Sequence, residues 1–343
     1  CFETPVELDL KRKKQLNMGK PPVYDRSALL LSTAEIQELR LNRESHWRFK
    51  LDLSRINWDD GILGDLSIDA ASVSDPVLIR GDGQFLYTLA SVCDDVDFGI
   101  SNVVRGSDHV TNTATQIQII EALGGDVPHF AHHSLLTGSK GEPLSKRLGT
   151  LSLRDLRASG LEPMAILSYM SRLGSSEPIE LFDNLKDLAE NFNISNFGAQ
   201  PTKFDLNDII PLTKKYISTL DISEVSDDLI KTGIPSDIAP KFWIMVRDNI
   251  NTRTEIKHWW SICSEGVAPL IDEEDIEFID IAKSLLPVGT FDESTWKNWT
   301  SEIKKVTGRK GKSLFMPLRK ALTGIEHGPD MSKMLPLLQK INL

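Results

Sequence analysis

The sequence predicts an α/β chain: a parallel sheet in its middle, a mixed α and β segment before it and an all-helical region after it. Three observations carry this. Between residues 100 and 136 the apolar pattern runs strand, helix, strand, punctuated by Gly99, Gly106, Gly124 and Gly125. Ahead of it, two helical stretches give way to alternating apolar and polar residues. From about Phe204 onward, helical periodicities are separated by proline and glycine. At 343 residues the chain has room for two or three domains, and 40% hydrophobic content can bury real cores.

The elements follow in order. Thr4-Pro5-Val6-Glu7 is a capping box with proline at the first helical position, so a helix starts there and ends near Gly19, before Pro21 and Pro22. Ser32 to Glu35 repeats the box ahead of a second helix. Trp47, Phe49, Leu51 and Leu53 alternate with Arg48, Lys50 and Asp52, the period of a strand. Ile100 to Val104 is a short apolar run that reads as a buried strand. Asn112 and Thr113 can cap a helix whose apolar positions are Ala114, Ile117, Ile120 and Leu123, and Phe130 to Leu136 resumes an extended pattern. Such a βαβ unit implies a parallel sheet with a right-handed crossover. Ligands of these sheets bind beyond the carboxyl ends of the strands, where Arg105 to His109 and the loop Ser145-Lys146-Arg147 fall. Ser152 to Asp155 can cap a helix ended by Gly160, and Pro163 opens another running to Gly174. Pro235, Pro240, Pro287 and Gly289 punctuate the helical remainder, and Leu314, Phe315, Leu318 and Leu322 read as the core face of a helix kinked by Pro317.

Composition narrows the function classes. There is no apolar run long enough to cross a membrane and no signal peptide. Cys1, Cys93 and Cys263 are scattered, which suits a reducing cytoplasmic compartment and excludes a cysteine-based zinc knuckle. A net charge of −10 argues mildly against nucleic-acid binding on composition alone, although Lys11 to Lys14, Lys214-Lys215 and Arg309-Lys310 with Lys312 are local basic patches.

Taken singly, the polar motifs have ordinary explanations. A Ser-Lys-Arg in a polar loop is usually solvated surface, Arg105 an ordinary ion-pair partner and Tyr87 a half-buried strand aromatic. Asp94-Asp95 has the look of a metal pair but reads as an acidic pair at an element end, making structural hydrogen bonds. His129, His132 and His133 have neither helical ligand spacing nor nearby cysteines, which argues against zinc.

Their order changes that reading. Arg80-Gly81-Asp82-Gly83, Tyr87-Thr88-Leu89-Ala90-Ser91-Val92-Cys93-Asp94-Asp95, Val103-Val104-Arg105-Gly106-Ser107-Asp108-His109, Asn112-Thr113 and Leu144-Ser145-Lys146-Arg147 succeed one another within about seventy residues. This order resembles the second half of the catalytic fold in class I aminoacyl-tRNA synthetases, specifically the bacterial glutamyl-tRNA synthetases. The stretch from Gly308 to Gly324 resembles the end of the same enzymes. The resemblance implies a connective insertion that receives the tRNA acceptor end (1–78), the second half of a Rossmann-like parallel sheet (79–142), a signature loop with a stem-contact region (143–203) and an all-α anticodon-binding domain (204–343). It implies a ligase that activates L-glutamate with ATP and Mg2+ and transfers it to the 3′ end of tRNA(Glu), also or instead tRNA(Gln). A cytoplasmic monomer is expected. Arg105 would hold the side-chain carboxylate of glutamate through its planar fork, with Tyr87 and Ser91 lining the pocket. Lys146 would meet the triphosphate as charge develops, with Ser145 and Arg147 beside it in the catalytic loop and Leu144, Asp108 and His109 on the ATP side.

Two departures stand out. The His-Ile-Gly-His turn of the family does not occur; His129-Phe130-Ala131-His132 has the spacing but no glycine, and the expectation is that the first half of the fold is missing from the chain. In the signature loop Pro143 stands where the family mostly has lysine, which leaves the phosphate contact to Lys146. The rival readings are a glutaminyl-tRNA synthetase, whose anticodon part is a β-barrel, the shortened paralogue that glutamylates a modified tRNA base and has no anticodon domain, and a non-catalytic tRNA-binding fragment.

Overall fold

The computed structural model describes residues 1–138, 141, 142, 144 and 152–343. The chain forms two compact units: Cys1–Leu144 with Gly174–Glu177 and Asn193–Phe204, and Ser145–Leu173 with Pro178–Phe192 and Asp205–Leu343.

In the first unit, helices α1 (Pro5–Asn17) and α2 (Thr33–Asn42) start at capping boxes as expected. Thr4 Oγ1 accepts from the Glu7 amide at 3.3 Å while Glu7 Oε2 accepts from the Thr4 amide at 2.8 Å, and Ser32 and Glu35 repeat the exchange. Neither helix buries a residue. Strand β1 is only Trp47–Arg48, paired with β4 (Val77–Ile79). The alternation that predicts strand to Leu53 does not continue as sheet, because the Leu51 amide donates to the Asp75 carboxylate at 3.0 Å instead of to a neighbouring strand. The Arg26 guanidinium clamps the same carboxylate with two bonds of 2.8 Å, holding Arg26 at φ 56°, a left-handed conformation that costs energy in a residue with a Cβ.

The main sheet has the order β3 (Gly64–Asp69), β2 (Arg55–Asp60), β6 (His129–His133), β5 (Asn102–Gly106). It is parallel along β2, β6 and β5, as the βαβ pattern predicts, and β3 adds an antiparallel edge. Between β4 and β5 runs α3 (Tyr87–Asp97), and between β5 and β6 runs α4 (Val110–Ala122). The strand predicted at Ile100 to Val104 begins two residues later, since the Ile100 amide still closes the end of α3 on Asp95 and pairing starts at Asn102 with His129. Asn112 and Thr113 do not cap α4 but lie inside it. The turn Ser107–His109 winds directly into the helix, and Thr113 faces a tertiary partner. A second short parallel pair joins β7 (Leu136–Thr137) to β8 (Thr202–Lys203).

The second unit is helical among its described residues: α5 (Leu153–Ala158), α6 (Pro163–Met170), α7 (Leu185–Glu190), α8 (Ile209–Thr219), α9 (Ile222–Lys231), α10 (Ala239–Val246), α11 (Glu255–Glu265), α12 (Ile276–Ser284), α13 (Thr295–Thr307), α14 (Lys312–Thr323) and α15 (Met331–Met334). Ser152 caps α5 on Asp155 as expected. Phe242, Trp243, Ile256, Trp299, Leu314 and Leu318 lie within one apolar core. Pro317 sits inside α14; it cannot donate to the Ser313 carbonyl, which instead accepts from Arg309 at 3.4 Å. Phe315 leaves the predicted core face and lies 44% exposed against the Trp296 ring, because that indole offers it a surface flank.

Candidate functional site

The site is built at the carboxyl ends of β2, β5 and β6. Parallel pairing sets Arg105 beside His132 in register, and the turn Ser107–His109 then sends the chain into α4. The Arg105 Nε donates to His132 Nε2 at 3.3 Å and its Nη2 donates to Thr113 Oγ1 at 2.6 Å; no hydrogen bond or ion pair among the described residues involves Nη1. The guanidinium also lies 5.4 Å from the centre of the Phe130 ring.

Behind it is a buried polar chain. Asp60, the last residue of β2, meets His132 Nδ1 with one carboxylate oxygen at 2.5 Å. Its other oxygen accepts from the amides of His132 at 3.0 Å and of Ile62 and Leu63 at 3.1 Å each. Burial by itself would push the Asp60 carboxyl up, but the His132 ring and these amides outweigh it and hold the group below the usual carboxylate range. Asp95 shows the opposite balance: burial raises its carboxyl, Arg105 opposes that and Asp94 adds to it.

The predicted residues divide as follows. Tyr87 opens α3, is half exposed, and meets the His109 ring edge-on at 5.8 Å, so these two come together. Asp108 is exposed next to His109, whose Nδ1 accepts from Asn112 at 3.2 Å. Ser91 accepts from Gln116 Nε2 at 3.0 Å on the facing side of α4, leaving the buried Gln116 Oε1 without a partner among the described residues. Asp94 and Asp95 fall in the last turn of α3. Leu144 is half-buried; Pro143, Ser145, Lys146 and Arg147 lie outside the described residues. Asp60 and His132 have no role in the sequence-based site, and the one local signal for them is a histidine flanked by buried Phe130 and Ala131 in a strand.

Elsewhere in the first unit, Cys1, Glu3 and His46 each bring a potential ligand atom within 4.8 Å of the others, the only such trio among the described residues. A thiol, an imidazole and a carboxylate do not make the all-oxygen shell that Mg2+ takes. Several basic groups are paired: Lys11 with Asp25 at 3.0 Å, Arg309 with Asp275 and Lys320 with Asp272 at 2.6 Å. No helix among the described residues is long and apolar enough to cross a membrane.

Comparisons with known proteins bear on the family and the fold. A family model described as the catalytic domain of class I tRNA synthetases (E and Q) matches residues 1–211, and one described as an anticodon binding domain matches residues 237–342. The chain is 64% identical to glutamate–tRNA ligase 1 of Roseobacter denitrificans, over 99% of this chain and 78% of that protein. It is 62% identical to glutamate–tRNA ligase 2 of a Ruegeria species, with the same two coverages. Its fold matches a glutamate-tRNA synthetase crystal structure from Elizabethkingia anophelis with TM-score 0.78 at 22% identity, covering 98% of this chain and 76% of that one.

Proposed function

This chain belongs to the glutamate–tRNA ligases among the class I tRNA synthetases, and from that premise we propose that Arg105 is the group that selects its amino acid. The reaction is ATP-dependent activation of glutamate followed by transfer to tRNA. In the first step an oxygen of the glutamate α-carboxylate attacks the α-phosphorus of ATP and pyrophosphate leaves with the bonding pair. In the second, a terminal ribose hydroxyl of tRNA attacks the acyl carbon and AMP departs.

The observation that carries the proposal is the half-held guanidinium. Two edges of Arg105 are fixed by His132 and Thr113 while Nη1 has no protein partner among the described residues, the arrangement of a fork prepared for a carboxylate. In this reading Tyr87, whose ring meets His109, would supply an aromatic wall of the pocket, and Ser91 a hydroxyl already engaged by Gln116. Asp108, His109 and Leu144 belong on the ATP side in this reading. Lys146, flanked by Ser145 and Arg147, neutralises the departing pyrophosphate. Mg2+ would travel with the nucleoside triphosphate and neutralise its phosphate charge.

Residues 1–78 would receive the tRNA acceptor end. Residues 143–203 would contact the stem and 204–343 the anticodon. We assign the protein as a cytoplasmic monomer, and as one that also or instead charges tRNA(Gln), with Pro143 and Ser91 marking a divergent copy. Aminoacylation of the two purified tRNAs separately tests this, and a strict preference for tRNA(Glu) rejects it.

In the whole gene product, Arg105→Ala is expected to cost glutamate activation on the order of 2 to 5 kcal/mol with little change in ATP binding, since the substrate carboxylate loses its charged partner. Near-normal glutamate kinetics would remove Arg105 from the site. Lys146→Ala is expected to slow adenylate formation about 100- to 1,000-fold, measured in single turnovers with tRNA present. A raised ATP requirement with an unchanged rate constant would make Lys146 a ground-state clamp only.

A further inference from the structure

We propose that Asp60 and His132 are positioning residues for amino-acid recognition: they fix one imidazole tautomer, whose free nitrogen holds Arg105 by its Nε and Thr113 so that Nη1 is presented to the glutamate side chain. The inference rests on Arg105 being the glutamate-binding group and goes beyond it in saying what aims that group.

Both side chains are fully buried. Asp60 takes five hydrogen-bond donors in all: three backbone amides, the His132 ring and, at 3.5 Å, the Trp58 indole. So provisioned it is a carboxylate, and a carboxylate only accepts. The proton on the 2.5 Å contact therefore belongs to His132 Nδ1. In the neutral ring Nε2 is then a bare acceptor, and it is the atom on which Arg105 Nε (3.3 Å) and Thr113 Oγ1 (2.9 Å) converge. Thr113 closes the triangle by accepting from Arg105 Nη2. The guanidinium is planar, so fixing Nε and Nη2 fixes the direction of Nη1 as well.

A purely structural role would stop short of this. Tying β2 to β6 needs only the His132 amide on Asp60, and Thr113 alone would satisfy the far nitrogen of the ring. The convergence of a half-buried arginine on that same nitrogen is what a tie between strands does not require. The four residues come from four separate elements, with Asp60 and His132 72 positions apart.

The test is Asp60→Asn in the whole gene product. The carboxamide oxygen can keep the three amides, but its NH2 would face Nδ1 and force the ring into the Nε2–H tautomer, directing a proton at Arg105. We expect KM for glutamate to rise on the order of 10-fold, with KM for ATP and for tRNA within about twofold. Histidine-selective 15N spectra should show His132 as the Nδ1–H tautomer in the parent and as Nε2–H in the variant. An Nε2–H tautomer in the parent, or a parallel rise in all three KM values, overturns the proposal. If the Asp60→Asn protein does not fold, His132→Gln, which keeps an acceptor near Nε2, is compared with His132→Leu, which does not; equal KM for glutamate in the two overturns it as well. Arg105→Ala separates the layers. An unchanged glutamate KM there defeats the reading of Arg105 itself, whereas a raised KM there with an unaffected Asp60→Asn defeats only the positioning device. In the double variant Asp60→Asn/Arg105→Ala, KM should be no worse than with Arg105→Ala alone.

Discussion

The two units are held by different interactions. Around the sheet of the first, buried apolar residues such as Leu51, Val92, Ile117, Ile119, Ile120 and Phe130 stand alongside buried polar groups, among them Asp60, Asp75, Thr113, Gln116, Gln118 and His132. In the second, indoles and aliphatic chains dominate, from Trp243 and Phe242 through Ile256 to Trp299 and Leu318. Apolar burial is non-directional and supplies most of the free energy of folding. Hydrogen-bonded polar burial yields little net stability but fixes orientation, because a lost partner leaves a desolvated group. The residues proposed to face glutamate, Arg105, Tyr87 and Ser91, lie in the first unit, where polar burial is prominent, which fits the need for a guanidinium aimed in one direction.

The largest effect expected from this contrast is in the helical unit. Trp243 is 1% exposed, and its indole N–H donates to the Leu220 carbonyl at 3.0 Å. Trp243→Ala should destabilise that unit by about 3 to 5 kcal/mol, the cost of an aromatic cavity plus an unpaired carbonyl. Cys263 gives a local readout: burial pushes its thiol up to about 12, so it is inert until the unit opens. Its labelling by a thiol reagent should accelerate about 100-fold or more in the variant. An acceleration below about fivefold, equivalent to less than 1 kcal/mol, would mean that the core is not as cooperative as its packing implies.

A smaller effect, of the opposite character, is expected from the polar wall. The Asp60 carboxyl sits below its unfolded value of 3.8, so its contribution is fully present above that value and is lost as pH falls through the lower folded one. In urea unfolding, the gap between the parent and Asp60→Asn should be wide near pH 7 and should narrow below about pH 4. A gap equally wide at pH 3 would show that the carboxylate charge contributes nothing. The stability of the helical unit at Trp243 should show no such link to this group.

Legibility in the sequence follows the range of the interaction. The boxes at Thr4, Ser32 and Ser152 could be read because donor and acceptor are three residues apart, and the βαβ unit because apolar periodicity switches from two to 3.6 and back. The start of α4 was misplaced because Thr113 resembles a cap locally, while its hydroxyl is committed to Arg105 and His132. The alternation from Trp47 to Leu53 misled for the same reason, since Asp75 takes the Leu51 amide from across the fold. Arg105, Tyr87, Ser91, Asp108 and His109 became candidates through the order of their motifs; no spacing singled them out. The pairing of Asp60 with His132 spans 72 positions and leaves no local trace beyond a histidine in an apolar strand.

The smallest predicted effect sharpens the comparison from a third direction, because α2 has no buried residue and so draws on neither kind of core. What starts it is Ser32, whose hydroxyl accepts from the Glu35 amide at 3.3 Å while the Glu35 carboxylate accepts from the Ser32 amide at 2.8 Å and from its hydroxyl at 2.6 Å. Ser32→Ala removes the hydroxyl and leaves the reverse bond to the backbone, so the loss should be about 1 kcal/mol. With only the half-buried Ile36 and Leu39 to tie the helix down, that loss is local fraying and does not propagate. Amide exchange in the first turns of α2, at Ile36 and Leu39, should quicken about fivefold, while the urea midpoint of the molecule stays where it was. If instead the midpoint falls with the exchange rates, α2 is coupled to the sheet more tightly than its exposed side chains suggest. Stability in the first unit would then be shared between cap and wall.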